Sequence, residues 1–77
     1  MTLFHFDVRY DDHPWSDDDT GTELRDIAEA RKEACDLARG LAKDCLKCPR
    51  EIAIRVRDEA AEPLMTLRLS LAIEERA

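Results

Sequence analysis

Between Asp26 and Leu46 apolar residues recur at the spacing of a helix face, and no other stretch limits the possible folds as sharply. On a helical wheel Leu24, Ile27, Ala28, Ala30, Ala34, Cys35, Leu37, Ala38, Leu41, Ala42, Cys45 and Leu46 gather on one half. Arg25, Asp26, Glu29, Lys32, Glu33, Asp36, Arg39, Gly40, Lys43 and Asp44 gather on the other. Arg31 alone interrupts the apolar stripe. Asp26 can cap the first turn, with Glu29 three residues on as in a capping box. Pro49 biases Cys48 away from helix and ends the run. Gly40, on the wet face, weakens the helix by about 1 kcal/mol without ending it. The stripe is rich in alanine, so this helix is predicted to sit close on a sheet and not to form a leucine seam.

The flanking segments alternate with a period of two. Phe4, Phe6, Val8 and Tyr10 point one way; Leu3, His5, Asp7 and Arg9 point the other. Ile52, Ile54 and Val56 oppose Glu51, Ala53, Arg55 and Arg57. Met65, Leu67, Leu69 and Leu71 oppose Leu64, Thr66, Arg68 and Ser70. Asp11-Asp12-His13-Pro14 is a turn. Trp15 opens a short second strand or folds back under the helix start. Ser16 to Gly21 is an acidic, turn-forming run, with Gly21 placed for positive φ. Asp58 to Pro63 is a hairpin loop. The expected class is therefore α+β, a two-layer ββαββ arrangement. One long helix covers one face of a mainly antiparallel sheet of three or four strands, and the second face is open. A helix of about 21 residues spans roughly 30 Å and strands of about eight residues roughly 26 Å, so one helix suffices.

Seventy-seven residues make one domain, 1–77, with 71–77 expected as a frayed tail. A chain this short buries only about 60–65% of its unfolded surface, so a dimer would add needed stability. A formal charge of −6 opposes whole-molecule attraction to nucleic acid or an anionic membrane. No apolar run approaches the length of a membrane span, and no secretory signal opens the chain. Three cysteines, two of them on one helix, fit a reduced, cytoplasmic protein.

The opening Phe4-His5-Phe6-Asp7-Val8-Arg9 resembles the Phe-Asp-Ile-Arg type opening of a group of small alphaproteobacterial proteins classed as a domain of unknown function. Asp18-Asp19-Thr20-Gly21-Thr22-Glu23-Leu24-Arg25-Asp26, followed by Ala30, Glu33 and Ala34, is similar to that family's Asp-x-x-Gly-x-Glu-Leu-x-Asp stretch before an Ala- and Glu-rich helix. Ile54 to Ala60 resembles its third block. The resemblance spans nearly the whole chain. It departs at Ala61, where a Gly often follows Asp-Glu-Ala, and at the Cys45/Cys48 pair. It implies a bacterial cytosolic single domain and carries over no catalytic residue.

Several motifs invite chemistry. Cys45-Leu46-Lys47-Cys48 is a CxxC, but zinc needs four ligands, and Cys35, His5 and His13 lack ligand spacing. A redox pair belongs at a helix N-terminus, whereas this one is at the C-terminal end, where the dipole opposes a thiolate. Asp17 to Glu23 resembles a calcium loop, yet from Asp17 the glycine is fifth and position twelve is Ala28. His5 and Asp7 share a strand face, but an open face offers no pocket for acid–base work. Arg31 either snorkels or pairs with a carboxylate, Glu23 or Asp7.

The better candidate is the uncovered sheet face, carrying His5, Asp7, Arg9, Arg55, Arg57, Thr66 and Arg68. Its arginines could grip phosphate or carboxylate groups, although only His5 adds a ring for base stacking. The expected function is a non-enzymatic protein-interaction or self-associating module, without cofactor or metal, whose partner is an unidentified protein or a second copy. The alternatives are a nucleic-acid or anion binder through the arginines, and a zinc or redox protein through Cys45 and Cys48.

Overall fold

The computed structural model describes residues 1–44, 49–60 and 62–72. In chain order it contains β1 (Thr2–Tyr10), β2 (Thr22–Leu24), α1 (Ile27–Asp44), β3 (Glu51–Arg57) and β4 (Pro63–Ser70). The four strands form one antiparallel sheet in the order β2-β1-β3-β4. β2 and β3 run the same way on either side of β1, and α1 crosses one face between them. This is the α+β architecture that the periodicities predict.

Each turn of α1 places one alanine against the sheet. Ala30, Ala34 and Ala38 lie four residues apart and are buried. Small side chains let the helix backbone approach β3, whose Ile52, Ile54 and Val56 are fully buried beneath it. Phe4 and Phe6 of β1 complete the core, and Leu37, Leu41, Met65, Leu67 and Leu69 pack around its rim. Each fully buried aliphatic contributes about 1.5–3 kcal/mol of transfer free energy. The apolar half of the wheel is wider than the contact it makes. Ile27 remains 43% exposed and Ala28 is exposed, because a single helix on a flat sheet buries only its central stripe.

The helix start follows its capping signal. Asp26 Oδ1 accepts the Glu29 N–H at 3.0 Å, and the Ala30 N–H donates to the Asp26 carbonyl at 3.2 Å. The predicted last residues of the helix, Cys45 and Leu46, lie outside the described residues, as does the whole Cys45/Cys48 pair.

The second strand is Thr22–Leu24, the segment that reads in sequence as the approach to the helix. Trp15 neither starts it nor lies under the helix. Its neighbour Ser16 makes an isolated bridge to Val8, and its ring lies on the far side of the sheet. At the other end of β1, Asp11 takes φ 52° and anchors β3. Its N–H donates to the Glu51 carbonyl at 2.9 Å, and its Oδ1 accepts the N–H groups of Arg50 and Glu51 at 2.9 and 3.0 Å. Leu71, expected in the frayed tail, donates its N–H to the Arg50 carbonyl at 2.8 Å. Residues 73–77 of that tail lie outside the described residues.

Candidate functional site

The side chains facing away from the helix are those the alternation assigns, but the face is not open across its whole width. After Tyr10 the chain turns back over it. The Val8 N–H donates to the Ser16 carbonyl at 3.0 Å, and the Ser16 N–H donates to the Val8 carbonyl at 2.7 Å. That bridge holds Trp15, Asp17 and Asp18 against the outward side chains of β1 and β3. Ala53, expected outward, is 1% exposed as a result.

Asp7 is the centre of the arrangement and has no exposed surface. Its Oδ2 accepts Arg55 Nε–H at 2.8 Å and Arg57 Nε–H at 2.6 Å. Its Oδ1 accepts Arg57 Nη2–H at 2.9 Å and the Asp18 N–H at 2.9 Å. Four donors thus occupy the lone pairs a carboxylate offers. Arg55 also reaches Asp17 Oδ1 at 3.2 Å.

Asp18 plays the part of a missing strand residue. Between the Ser16 bridge and the start of β2, the Phe6 N–H has no strand partner, and Asp18 Oδ2 accepts it at 3.1 Å. Asp18 Oδ1 accepts the Thr20 and Gly21 N–H groups, each at 3.1 Å. The Asp18 carbonyl accepts His5 Nδ1–H at 2.8 Å, which sets the His5 tautomer. Gly21 has φ 77°, and a Cβ there would stand 3.0 Å from His5 Cε1 and from Leu3 Cγ and Cδ1. Only glycine fits both the backbone conformation and the space.

The Trp15 ring packs against two arginines. Arg55 Cζ lies 4.4 Å from its centroid and Arg9 Cζ 5.2 Å away. Such contacts contribute about 0.5–1 kcal/mol each and more where water is excluded. Arg9 Nε is buried with no hydrogen-bond partner among the described residues. Arg68, on the far strand, pairs instead with Glu51 Oε1 at 2.9 Å.

The electrostatics follow from these contacts. Burial would push the Asp7 carboxyl up, but the Arg57 guanidinium, the Asp18 N–H and Arg55 outweigh it and hold the group well below the usual carboxylate range. Burial likewise opposes ionisation of Asp18, and the N–H groups of Gly21, Phe6 and Thr20 overcome it, so its carboxyl is also lowered. The Arg57 guanidinium is raised, chiefly by its bond to Asp7.

Of the residues predicted on this face, the structure brings His5, Asp7, Arg9, Arg55 and Arg57 together and leaves Arg68 apart with Glu51. The expectation of an uncovered face fails over β1 and β3 and holds over β4, where Leu64, Thr66, Arg68 and Ser70 are exposed. The acidic loop is the reason: Asp17 and Asp18 meet the arginines that an open face would have presented to solvent. Arg31 is exposed, lies on the opposite side of the sheet from Asp7, and makes no ion pair among the described residues. Sequence reasoning missed Asp11, Trp15 and Asp18. Two signals point to them: an eleven-residue connection, long for a two-layer domain, and the Asp-x-x-Gly spacing of an aspartate that bonds its own following backbone.

The site holds the acidic loop in place. Asp7 is saturated and kept ionised, and His5 is committed through Nδ1. Among the described residues, no group of three or more His, Cys, Asp or Glu side chains is placed to hold a metal ion. No helix among them is long and apolar enough to cross a membrane.

Neither the curated proteins nor the solved structures contain a match to this chain. A family model does match, over residues 3–70, and those bounds take in β1 from Leu3 onward, the Asp7–Asp18 cluster, β2, α1, β3 and the whole of β4. The chain therefore belongs to the family described as domain of unknown function DUF6894.

Proposed function

We propose that this protein is a small, non-enzymatic interaction module of the cytoplasm that works through the outer edge of β4. The observation that carries this reading is the contrast between the two sheet edges. The β2 edge is three residues long and continues into the Asp18 loop, which satisfies the adjacent Phe6 N–H. The β4 edge is eight residues long and contains one charged side chain, Arg68. The usual protections of an edge strand are confined to its first two residues, Pro63 and the register shift that skips Leu64; from Met65 to Ser70 there is no lysine, no proline and no bulge. Leu67 and Leu69 stay half-buried where β4 meets α1, beside Cys35, Ala38 and Arg39. An extended partner strand could take backbone bonds from this edge and cover those side chains, the mode of strand addition.

The arginine face supports the alternative of anion or nucleic-acid binding poorly. Arg55 and Arg57 are bound to Asp7, Arg9 lies against Trp15, and Arg68 is bound to Glu51. The charge of Arg9, Arg55 and Arg57 is taken up within the fold, and the half-exposed Arg68 alone keeps part of its charge for a neighbour. The Cys45/Cys48 alternative lies outside the described residues.

The test is capture from the native cell with tagged wild type and with Thr66→Pro, which removes an edge N–H without touching the β3–β4 ladder. A partner retained equally by both proteins sinks the reading.

A further inference from the structure

We infer that the strand received by β4 is β4 of a second copy of this chain, paired antiparallel about a two-fold axis through Leu67. This rests on the reading of β4 as the binding edge.

Backbone phase supplies the first argument. The Leu71 N–H donates to the Arg50 carbonyl, so Arg50 and Leu71 form a hydrogen-bonded pair of the β3–β4 ladder. Such pairs alternate, which makes Ile52/Leu69, Ile54/Leu67 and Val56/Met65 the others. The Asp11 N–H bond to the Glu51 carbonyl gives the same phase for β3 from its other side. The backbone groups of Thr66, Arg68 and Ser70 therefore point outward, and Leu64 lies in the register shift at the start of the strand. An antiparallel copy must match outward residues to outward residues, so its register slides only in steps of two.

Side chains choose among those steps. With Leu67 on the axis, Thr66 faces Arg68 of the second copy and Leu64 faces Ser70. On the helix side Leu67 meets its own image and Met65 meets Leu69. One step in one direction sets Arg68 against Arg68, a like-charge pair. One step in the other sets Thr66 against itself and leaves Leu69 opposite Pro63. With the axis at Leu67 every helix-side aliphatic from Met65 to Leu69 meets another aliphatic and no like charges face each other. Thr66 and Arg68 then form two hydrogen-bonded pairs about the axis, exchanging about four backbone hydrogen bonds, with Ser70 of each copy at the Leu64 end of the other. The pairing uses one patch on both copies, so it closes as a dimer, and the short β2 edge offers no site for further growth.

Sedimentation equilibrium of the full chain over a concentration series reads the register directly, using wild type, Thr66→Glu, Thr66→Lys and Thr66→Pro. Thr66 is exposed, and its β3 neighbour Arg55 is already held by Asp7 and Asp17, so a new carboxylate is left for Arg68 of the second copy. Wild type is expected to be a reversible dimer. Thr66→Glu should tighten it about 3–10-fold, since the new pair forms twice, and Thr66→Lys should weaken it by a similar factor. Thr66→Pro should give a monomer with unchanged helical circular dichroism; if it does not fold, the charged pair of variants still decides.

Weakening by both Glu and Lys would place Thr66 against itself and overturn the axis at Leu67. A wild type that stays monomeric overturns self-pairing, while the edge reading then stands if Thr66→Pro still loses its captured partner. A dimer indifferent to all three substitutions overturns both.

Discussion

Arg57 grips Asp7 diagonally across the β1–β3 ladder. The residue directly opposite Arg57 is His5, and the one directly opposite Asp7 is Arg55. Arg57 nevertheless reaches both oxygens of Asp7, with Nε at 2.6 Å and Nη2 at 2.9 Å, while Arg55 holds only Oδ2. The two-pronged geometry is what a guanidinium can supply and an ammonium cannot. It lets one buried carboxylate serve two arginines and still accept the Asp18 N–H that docks the loop.

Removing Asp7 should therefore cost more than a surface ion pair would. Asp7→Ala leaves the partly covered Arg57 without a carboxylate and Arg55 with Asp17 alone, and it frees the loop, so about 3–5 kcal/mol of stability is expected to go. For a domain this small each 1 kcal/mol is worth roughly 4–8 °C in Tm. Urea unfolding measures it, and a loss below about 1 kcal/mol would show that the cluster does not hold the fold.

Acid should loosen the same cluster. Asp7 and Asp18 both ionise below their unfolded value of 3.8. A depressed carboxyl contributes its full stabilisation above the unfolded value and loses it as pH falls toward the folded one. Stability should thus be flat in these groups above about pH 5 and decline steadily below about pH 4. Asp7→Asn should flatten that acid limb. The single tryptophan, Trp15, reports the loop: its fluorescence should shift as the arginines release it. An acid limb identical in wild type and Asp7→Asn would rule Asp7 out as its source.

Gly21→Ala meets two obstacles, a positive φ and a Cβ held 3.0 Å from His5 and Leu3. The expected cost is about 1–3 kcal/mol. Gly21→Asn separates the two, because asparagine tolerates the conformation but still carries a Cβ. Full recovery with asparagine would mean the contacts yield freely.

Asp26→Ala should lose about 1 kcal/mol by removing the acceptor for the Glu29 N–H, and Asp26→Ser should retain most of it. Thermal melts followed at the helical band distinguish the two. Equal stability for all three proteins would mean the cap contributes nothing.

Local chemistry made the helix, its Asp26 cap, the alternating strands and the demand for glycine at position 21 legible in the chain itself. Each depends on a spacing of two to four residues or on one backbone angle. The sequence also separated the helix-facing side chains from the outward ones correctly, since in a strand that follows from parity alone. What parity cannot say is whether an outward face stays wet. Asp7 and Arg57 are fifty residues apart, and Asp18 reaches Phe6 across a loop whose path no local signal dictates. The tertiary structure decided that the arginines face inward partners and that Trp15 lies against them. It also decided that β4, and not β1 or β3, is left with an open edge. The physical reason is that ion pairs and edges are relations between strands: their energies depend on which segments become neighbours, and neighbours are settled only when the sheet forms around its core.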